Sequence, residues 1–106
     1  SSEPGWVLAV TGYELTESRE NYLFGQTPAG VVWAVVSTAR LTGRYAGRAQ
    51  VFERLKKEAL HALGHLAGLE HCEQPRCIMR PSESLTEVDR KRTRFCLQCE
   101  RRFFAV

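Results

Sequence analysis

The stretch His61-Ala62-Leu63-Gly64-His65-Leu66-Ala67-Gly68-Leu69-Glu70-His71 decides the reading, and it holds every histidine of the chain. His61 and His65 stand four apart on a segment whose pattern predicts a helix. Both imidazoles then lie on one face, about 6 Å apart. That separation suits two bonds of about 2 Å to a single zinc ion. His71 cannot join them on a continuous helix, where it would sit about 15 Å further along the axis. The helix must stop and the chain must fold back. Gly68 stands where that break is needed, because glycine enters a left-handed turn without steric cost. Three neutral nitrogens leave a fourth zinc position open, the arrangement of a catalytic rather than a structural site.

Directly beyond the histidines come the sulfurs. Cys72, Cys77, Cys96 and Cys99 are the only cysteines, and the last two form a C-x-x-C pair. Two disulfides are one reading of four cysteines. Thiolates on a second, structural zinc fit the C-x-x-C spacing and the adjoining histidines better. Reduced thiols imply a cytoplasmic location, and no apolar leader follows a basic start.

Upstream, a helix begins near Arg48. Phe52, Leu55, Ala59, Leu63 and Leu66 recur at three- and four-residue steps and give it an apolar face. Glu53 stands four residues before Lys57, a supportive pair. Before the helix lie three strand candidates: Trp6 to Leu15, ending near Gly12; Tyr22-Leu23-Phe24, closed by Gly25; and Val31 to Leu41, the strongest, rich in β-branched residues. After Gly68 the chain is irregular, with Pro75 and Pro81. A second helix is expected over Ser84–Arg94, capped by Ser84 or Ser82 with Glu87 in its first turn. Arg101 to Val106 reads as a tail with an apolar end.

The expected fold class is α+β. A small mixed sheet packs on a zinc-binding helix, followed by an irregular C-terminal part with a second helix and a structural zinc site. One domain covers 1–106, with sheet and helix over about 1–67 and the zinc-stapled part over about 68–106. The chain has 106 residues, a formal charge of +3 and ten aromatic side chains (two Trp, three Tyr, five Phe), which argue against disorder. The longest apolar run, Gly30 to Val36, is far short of the roughly 20 residues of a membrane span. The run Arg90-Lys91-Arg92-Thr93-Arg94 and the pair Arg101-Arg102 are basic, but a charged run is more often a solvated face than a nucleic-acid site. No serine or cysteine nucleophile has a base, since every histidine is used on metal.

These residues resemble a known family. His61, His65, Gly68 and His71 match the metzincin zinc-peptidase motif H-E-x-x-H-x-x-G-x-x-H. Cys72 directly after the third histidine, then Cys77, Met79 and the Cys96-x-x-Cys99 pair resemble the archaemetzincin signature, with an interval from Met79 to Cys96 one residue shorter than usual. The strand segments Tyr22-Leu23-Phe24-Gly25 and Val35-Val36-Ser37-Thr38-Ala39-Arg40-Leu41 extend the similarity, from about Val7 to Cys99. The resemblance implies a zinc metallopeptidase with a catalytic zinc on His61, His65 and His71 and a structural zinc on Cys72, Cys77, Cys96 and Cys99. Met79 would form a tight turn beneath the catalytic metal. An extended peptide or protein substrate would add as a strand along the outer edge of Val31–Leu41. No membrane partner is expected, and nucleic acid is disfavoured.

One position departs from the motif. Residue 62 is Ala where the family has the glutamate that takes a proton from the attacking water and delivers it to the leaving amine. A methyl group does neither. Zinc binding survives, because the glutamate is not a ligand. Glu58 and Glu70 are weak substitutes at best. The chain therefore reads as a catalytically impaired Glu-to-Ala form of a peptidase. The alternatives are a natural pseudopeptidase and a zinc-stabilised module that binds protein or nucleic acid.

Overall fold

The computed structural model describes residues 5–13, 25–26, 32–42 and 47–105. Three strands and three helices follow in order: β1 (Val7–Thr11), β2 (Gly25–Gln26), β3 (Trp33–Ser37), α1 (Arg48–Leu66), α2 (Leu85–Arg90) and α3 (Leu97–Phe104). The strands form one mixed sheet in the order β1-β3-β2. β1 runs parallel to β3 with Val7 opposite Trp33 and Thr11 opposite Ser37. β2 runs antiparallel to β3 with Gly25 opposite Val36. Mixed sheet plus helices is the α+β class expected.

The strand boundaries are tighter than the sequence implies. β1 stops before Gly12, as expected, and the Tyr22–Phe24 segment lies outside the described residues. Gly25, read as the end of that strand, is itself paired. β3 occupies only the middle of Val31–Leu41. It ends because the Ser37 hydroxyl donates to the carbonyl of Tyr13 (2.6 Å) and accepts from the Ala39 amide (3.1 Å), which turns the chain. β3 is also not an edge. It is central, and β2 covers it at Val35 and Val36. The outer edge expected on Val31–Leu41 is therefore corrected: the outer strands of the described sheet are β1 and β2.

α1 carries the site. Its expected apolar face is partly wrong, since Phe52 is exposed and the buried positions are Arg54, Glu58, His61, Ala62 and Gly64. The reason is that the helix is covered on two sides. Ala62 packs against Ala34 and Val36 of β3. The neighbouring flank receives the C-terminal part, where Arg54 makes a two-pronged contact with Asp89 (2.9 and 2.8 Å) and also donates to the Leu41 carbonyl (2.7 Å). Glu53 pairs with Lys56 at 2.6 Å rather than with Lys57. Lys57 instead caps the C-terminal carbonyls of α2 at Val88 and Asp89 (3.2 Å each).

α2 is shorter than the expected Ser84–Arg94. Ser84 caps it, accepting from the Glu87 amide at 3.2 Å, while Glu87 accepts from the Glu83 amide at 2.6 Å. It stops at Arg90, because Lys91 adopts extended backbone (φ −72°, ψ 153°) and turns its side chain inward. α3 lies where a tail was expected. Phe103 on α3 stacks on Phe95 (4.9 Å between ring centroids) and leans on Trp6 (6.2 Å). That packing holds an eight-residue helix too short to persist alone.

Candidate metal centre

The reversal after α1 builds the site. Gly68 has φ +94°. Its amide bonds the carbonyl of His65 (2.9 Å), and the Leu69 amide bonds that of Gly64 (2.9 Å). This pair of bonds is the Schellman ending of a helix, with glycine at the left-handed position. The chain turns back over α1 and brings His71 to the other two histidines. The three ring centroids lie 4.6, 5.2 and 4.9 Å apart. One ring nitrogen from each stands within 4.8 Å of the others.

The tautomers follow from the neighbours. Nδ1 of His61 contacts the Ile78 carbonyl at 2.7 Å, and Nδ1 of His65 contacts the Leu69 carbonyl at 3.0 Å. A carbonyl only accepts, so both Nδ1 atoms donate. Burial pushes the His61 pKa down to about 3, helped by the charge of Lys91 and opposed by the Ile78 carbonyl. Burial lowers His65 and His71 as well. The rings are thus neutral near pH 7, with one N–H each. The Nε2 atoms of His61 and His65 then face each other as lone pairs at 3.0 Å. Two lone pairs so placed repel unless a cation lies between them. Tetrahedral zinc with bonds of 2.0–2.1 Å sets its nitrogens about 3.3 Å apart. The donor set fits such an ion.

The second cluster is made of thiols. The four sulfurs lie within 4.8 Å of one another, and all four cysteines are free. Cys72 and Cys96 are 3.9 Å apart, far beyond a disulfide and close to the roughly 3.8 Å between two sulfurs on tetrahedral zinc. The Cys77 sulfur accepts from the amides of Met79 (3.4 Å) and Cys96 (3.3 Å). Burial pushes the Cys77 and Cys99 thiols up, and neighbouring sulfurs push Cys99 up further. Burial also works against the Cys96 thiolate, but the Cys99 amide and the nearby thiols outweigh it and bring Cys96 down to about 7. Four thiolates cannot share this space without a cation. Among the described residues, these two groups are the ones that can hold a metal ion.

Met79 is fully buried. Its sulfur lies directly against Gly64, where a Cβ would overlap Met79 Sδ and stand 2.9 Å from Met79 Cε and 3.2 Å from Phe95 Cε1. Glycine inside a helix costs about 1 kcal/mol, and here that cost admits the methionine against the backbone of α1. Gly64 was missed as a functional position; its cue was a glycine in a helix interior. Lys91 was also missed. It is 4% exposed and donates to the carbonyls of Ile78 (3.2 Å) and Arg80 (2.8 Å). Glu58 is equally buried, and its Oε1 has no hydrogen-bond partner. Burial raises the Glu58 pKa, and the charge of Lys91 is the largest effect holding it down. Ala62 is 4% exposed beneath the sheet, one residue from His61. Glu70 is exposed.

Comparison with known proteins agrees with this geometry. The solved archaemetzincin of Methanopyrus kandleri superposes with a TM-score of 0.86 at 39% identity, covering 99% of this chain and 57% of that one. A zinc-dependent peptidase from Methanocorpusculum labreanum gives 0.83 at 38%, over 92% and 53%. Among curated relatives, the archaemetzincin of Halobacterium salinarum is 41% identical over 104 residues, which are 92% of this chain and 60% of the relative. That of Pyrococcus furiosus is 40% identical over 100 residues, 91% and 52% respectively. The chain thus spans between half and three fifths of the length of these relatives. No helix among the described residues is long and apolar enough to cross a membrane. The model of the peptidase family M54 matches residues 7–104, and the chain belongs to that family.

Proposed function

We propose that this chain is the zinc-binding core of a metallopeptidase, disabled at one position. His61, His65 and His71 hold the catalytic zinc, Cys72, Cys77, Cys96 and Cys99 hold a structural zinc, and Ala62 occupies the place of the general base. The two Nε2 lone pairs facing each other at 3.0 Å carry the reading. When bound, zinc on three histidines supplies Lewis-acid chemistry, polarising a peptide carbonyl and acidifying a water molecule. The chain's own residues do the rest. Ile78 and Leu69 carbonyls fix the histidine tautomers, Gly68 delivers the third imidazole, and Met79 supports the pair from below. Ala62 has no group that accepts or returns a proton, which removes a contribution of typically 10²–10⁴ in rate.

A peptide substrate adding as a strand would pair with β2, the antiparallel outer strand, rather than with β3. Free thiols at all four cysteines favour a reducing, cytoplasmic compartment. One domain serves both clusters, because Cys72 follows His71 directly and the segments of 1–67 and 68–106 meet at Gly64 and Met79. The same geometry serves a replaced catalytic residue and a natural pseudopeptidase alike. A binding module without chemistry needs only the cysteine zinc.

Metal counting tests the assignment. The chain should hold two zinc ions, His71→Ala should lose one of them, and Cys99→Ser should lose the other. A single zinc in the parent, unaffected by His71→Ala, refutes the histidine site.

A further inference from the structure

Lys91 is a buried lysine with no place in the reading so far. Lysines are almost never fully buried unless paired, because removing an ammonium from water is expensive. This one is 4% exposed, and α2 stops so that it can turn inward. A Met or Leu would fill the same volume at lower cost, so the charge itself needs a reason. Two of its three N–H donors are accounted for, on the carbonyls of Ile78 (3.2 Å) and Arg80 (2.8 Å), which flank Met79. The Ile78 oxygen has a second lone pair, and the His61 Nδ1–H takes it at 2.7 Å. Lysine and histidine therefore share one acceptor. The remaining carbonyls of this turn are also tied: Cys72 donates to Met79 O (3.0 Å) and Arg80 to Cys77 O (3.1 Å). Among the charged groups around it, the Glu58 carboxyl, buried on α1 one turn before His61, acts most on Lys91, through space and not through a hydrogen bond.

We propose that Lys91 is a positioning residue for the histidine cluster. Through the Ile78 carbonyl it shares with His61, its ammonium fixes the orientation and tautomer of that imidazole. Without the ammonium, the Ile78 and Arg80 carbonyls lose a buried donor, and besides His61 the Ile78–Met79 peptide plane keeps only the weaker bond from the Met79 amide to Cys77 Sγ (3.4 Å). The His61 Nδ1–H then loses a fixed acceptor, and its ring no longer presents Nε2 to the cluster alone. The Ile78 carbonyl is the partner one bond beyond the ligand, where changes typically alter metal affinity 10–100-fold, and Lys91 acts by holding that carbonyl. The effect on zinc rests on the histidine site proposed above; the effect on the His61 ring does not.

The test replaces the buried charges together, as Lys91→Met with Glu58→Gln, so that neither is left uncompensated. Nitrogen NMR of the His61 ring in metal-free protein reads the tautomer, and chelator competition reads zinc affinity at each cluster. The expected result is a fold retained with cysteine-site affinity unchanged, a mixture of His61 tautomers, and histidine-site affinity lowered 10–100-fold. Lys91→Arg, which keeps charge and donors, should restore most of both. A single Nδ1–H tautomer with parental zinc affinity in the folded double variant overturns the proposal. Should that variant not fold, the Lys91 ammonium of the parent decides. It must exchange its protons slowly and shift when zinc is added; exchange as fast as surface lysines, with no shift, also overturns it. A parent without histidine-site zinc defeats the peptidase reading, and the tautomer measurement still judges Lys91.

Discussion

Replacing Gly68 by alanine isolates the backbone turn that completes the histidine cluster. The position has φ +94°, and a Cβ built there meets nothing within 4 Å. The cost is therefore conformational and not steric. A left-handed backbone costs an L-residue about 1–2 kcal/mol, and this φ lies beyond the most tolerated left-handed well, near +57°. The upper half of that range is expected. For a domain of about 100 residues, 1 kcal/mol moves the melting temperature by roughly 4–8 °C. Gly68→Ala should then melt about 6–16 °C lower, with Gly68→Asn in between, because asparagine tolerates the left-handed region. The assay is thermal unfolding by circular dichroism at one fixed free-zinc concentration, since bound metal shifts the transition. Zinc affinity of the histidine site should fall in the same order, as His71 lies three residues beyond the turn. A Gly68→Ala protein that melts at or above the parent would be the opposite result. The reversal would then not depend on a left-handed residue at this position.

Three further outcomes follow from the packing. Gly64→Ala gains about 1 kcal/mol in helix propensity but forces Met79 aside at an overpacking cost of about 1–3 kcal/mol. It should be destabilised on balance in a denaturant melt, and a stabilised variant would contradict the tight approach of Met79. The Arg54 guanidinium holds the Asp89 carboxyl below the usual carboxylate range. Its folded pKa is thus lower than its unfolded one, so the pair's stabilisation is present above about pH 4 and is lost as pH falls through the folded value. Asp89→Asn should be less stable than the parent at pH 7, with the gap closing in acid; a constant gap from pH 7 to pH 2 would count against the ion pair. Chelators should strip the open histidine site first with the fold retained, then unfold the chain when the four-thiol site empties, because structural zinc contributes roughly 10 kcal/mol or more to folding. Calorimetry with zinc counting checks the order.

The candidate metal residues were legible because zinc restricts both residue type and spacing. His61, His65 and His71 converge across the turn at Gly68. The cysteines likewise converge although Cys72 and Cys96 are 24 residues apart. Residues whose role depends on a distant partner were not legible. Gly64 looks like a poor helix residue until Met79 lies on it. Lys91 looks like part of a solvated basic run until it reaches the Ile78 carbonyl. Phe103 looks like a tail residue until Phe95 stacks under it. Phe52 failed in the opposite sense: its spacing fits an apolar face, but the sheet and the C-terminal part cover other sides of the helix. The strand Val31–Leu41 was located correctly, yet its place inside the sheet depends on β2, whose register no local pattern states.

On the proposed reading the chain lacks only a proton carrier beside an otherwise complete open zinc site. Ala62→Glu with a diverse peptide library tests it most directly, with zinc counted and melting recorded on the same samples. Two zinc ions are expected in both proteins, with cleavage that rises on the order of 10²–10⁴ in the glutamate variant. A folded Ala62→Glu protein that holds both zinc ions and cleaves nothing would contradict it.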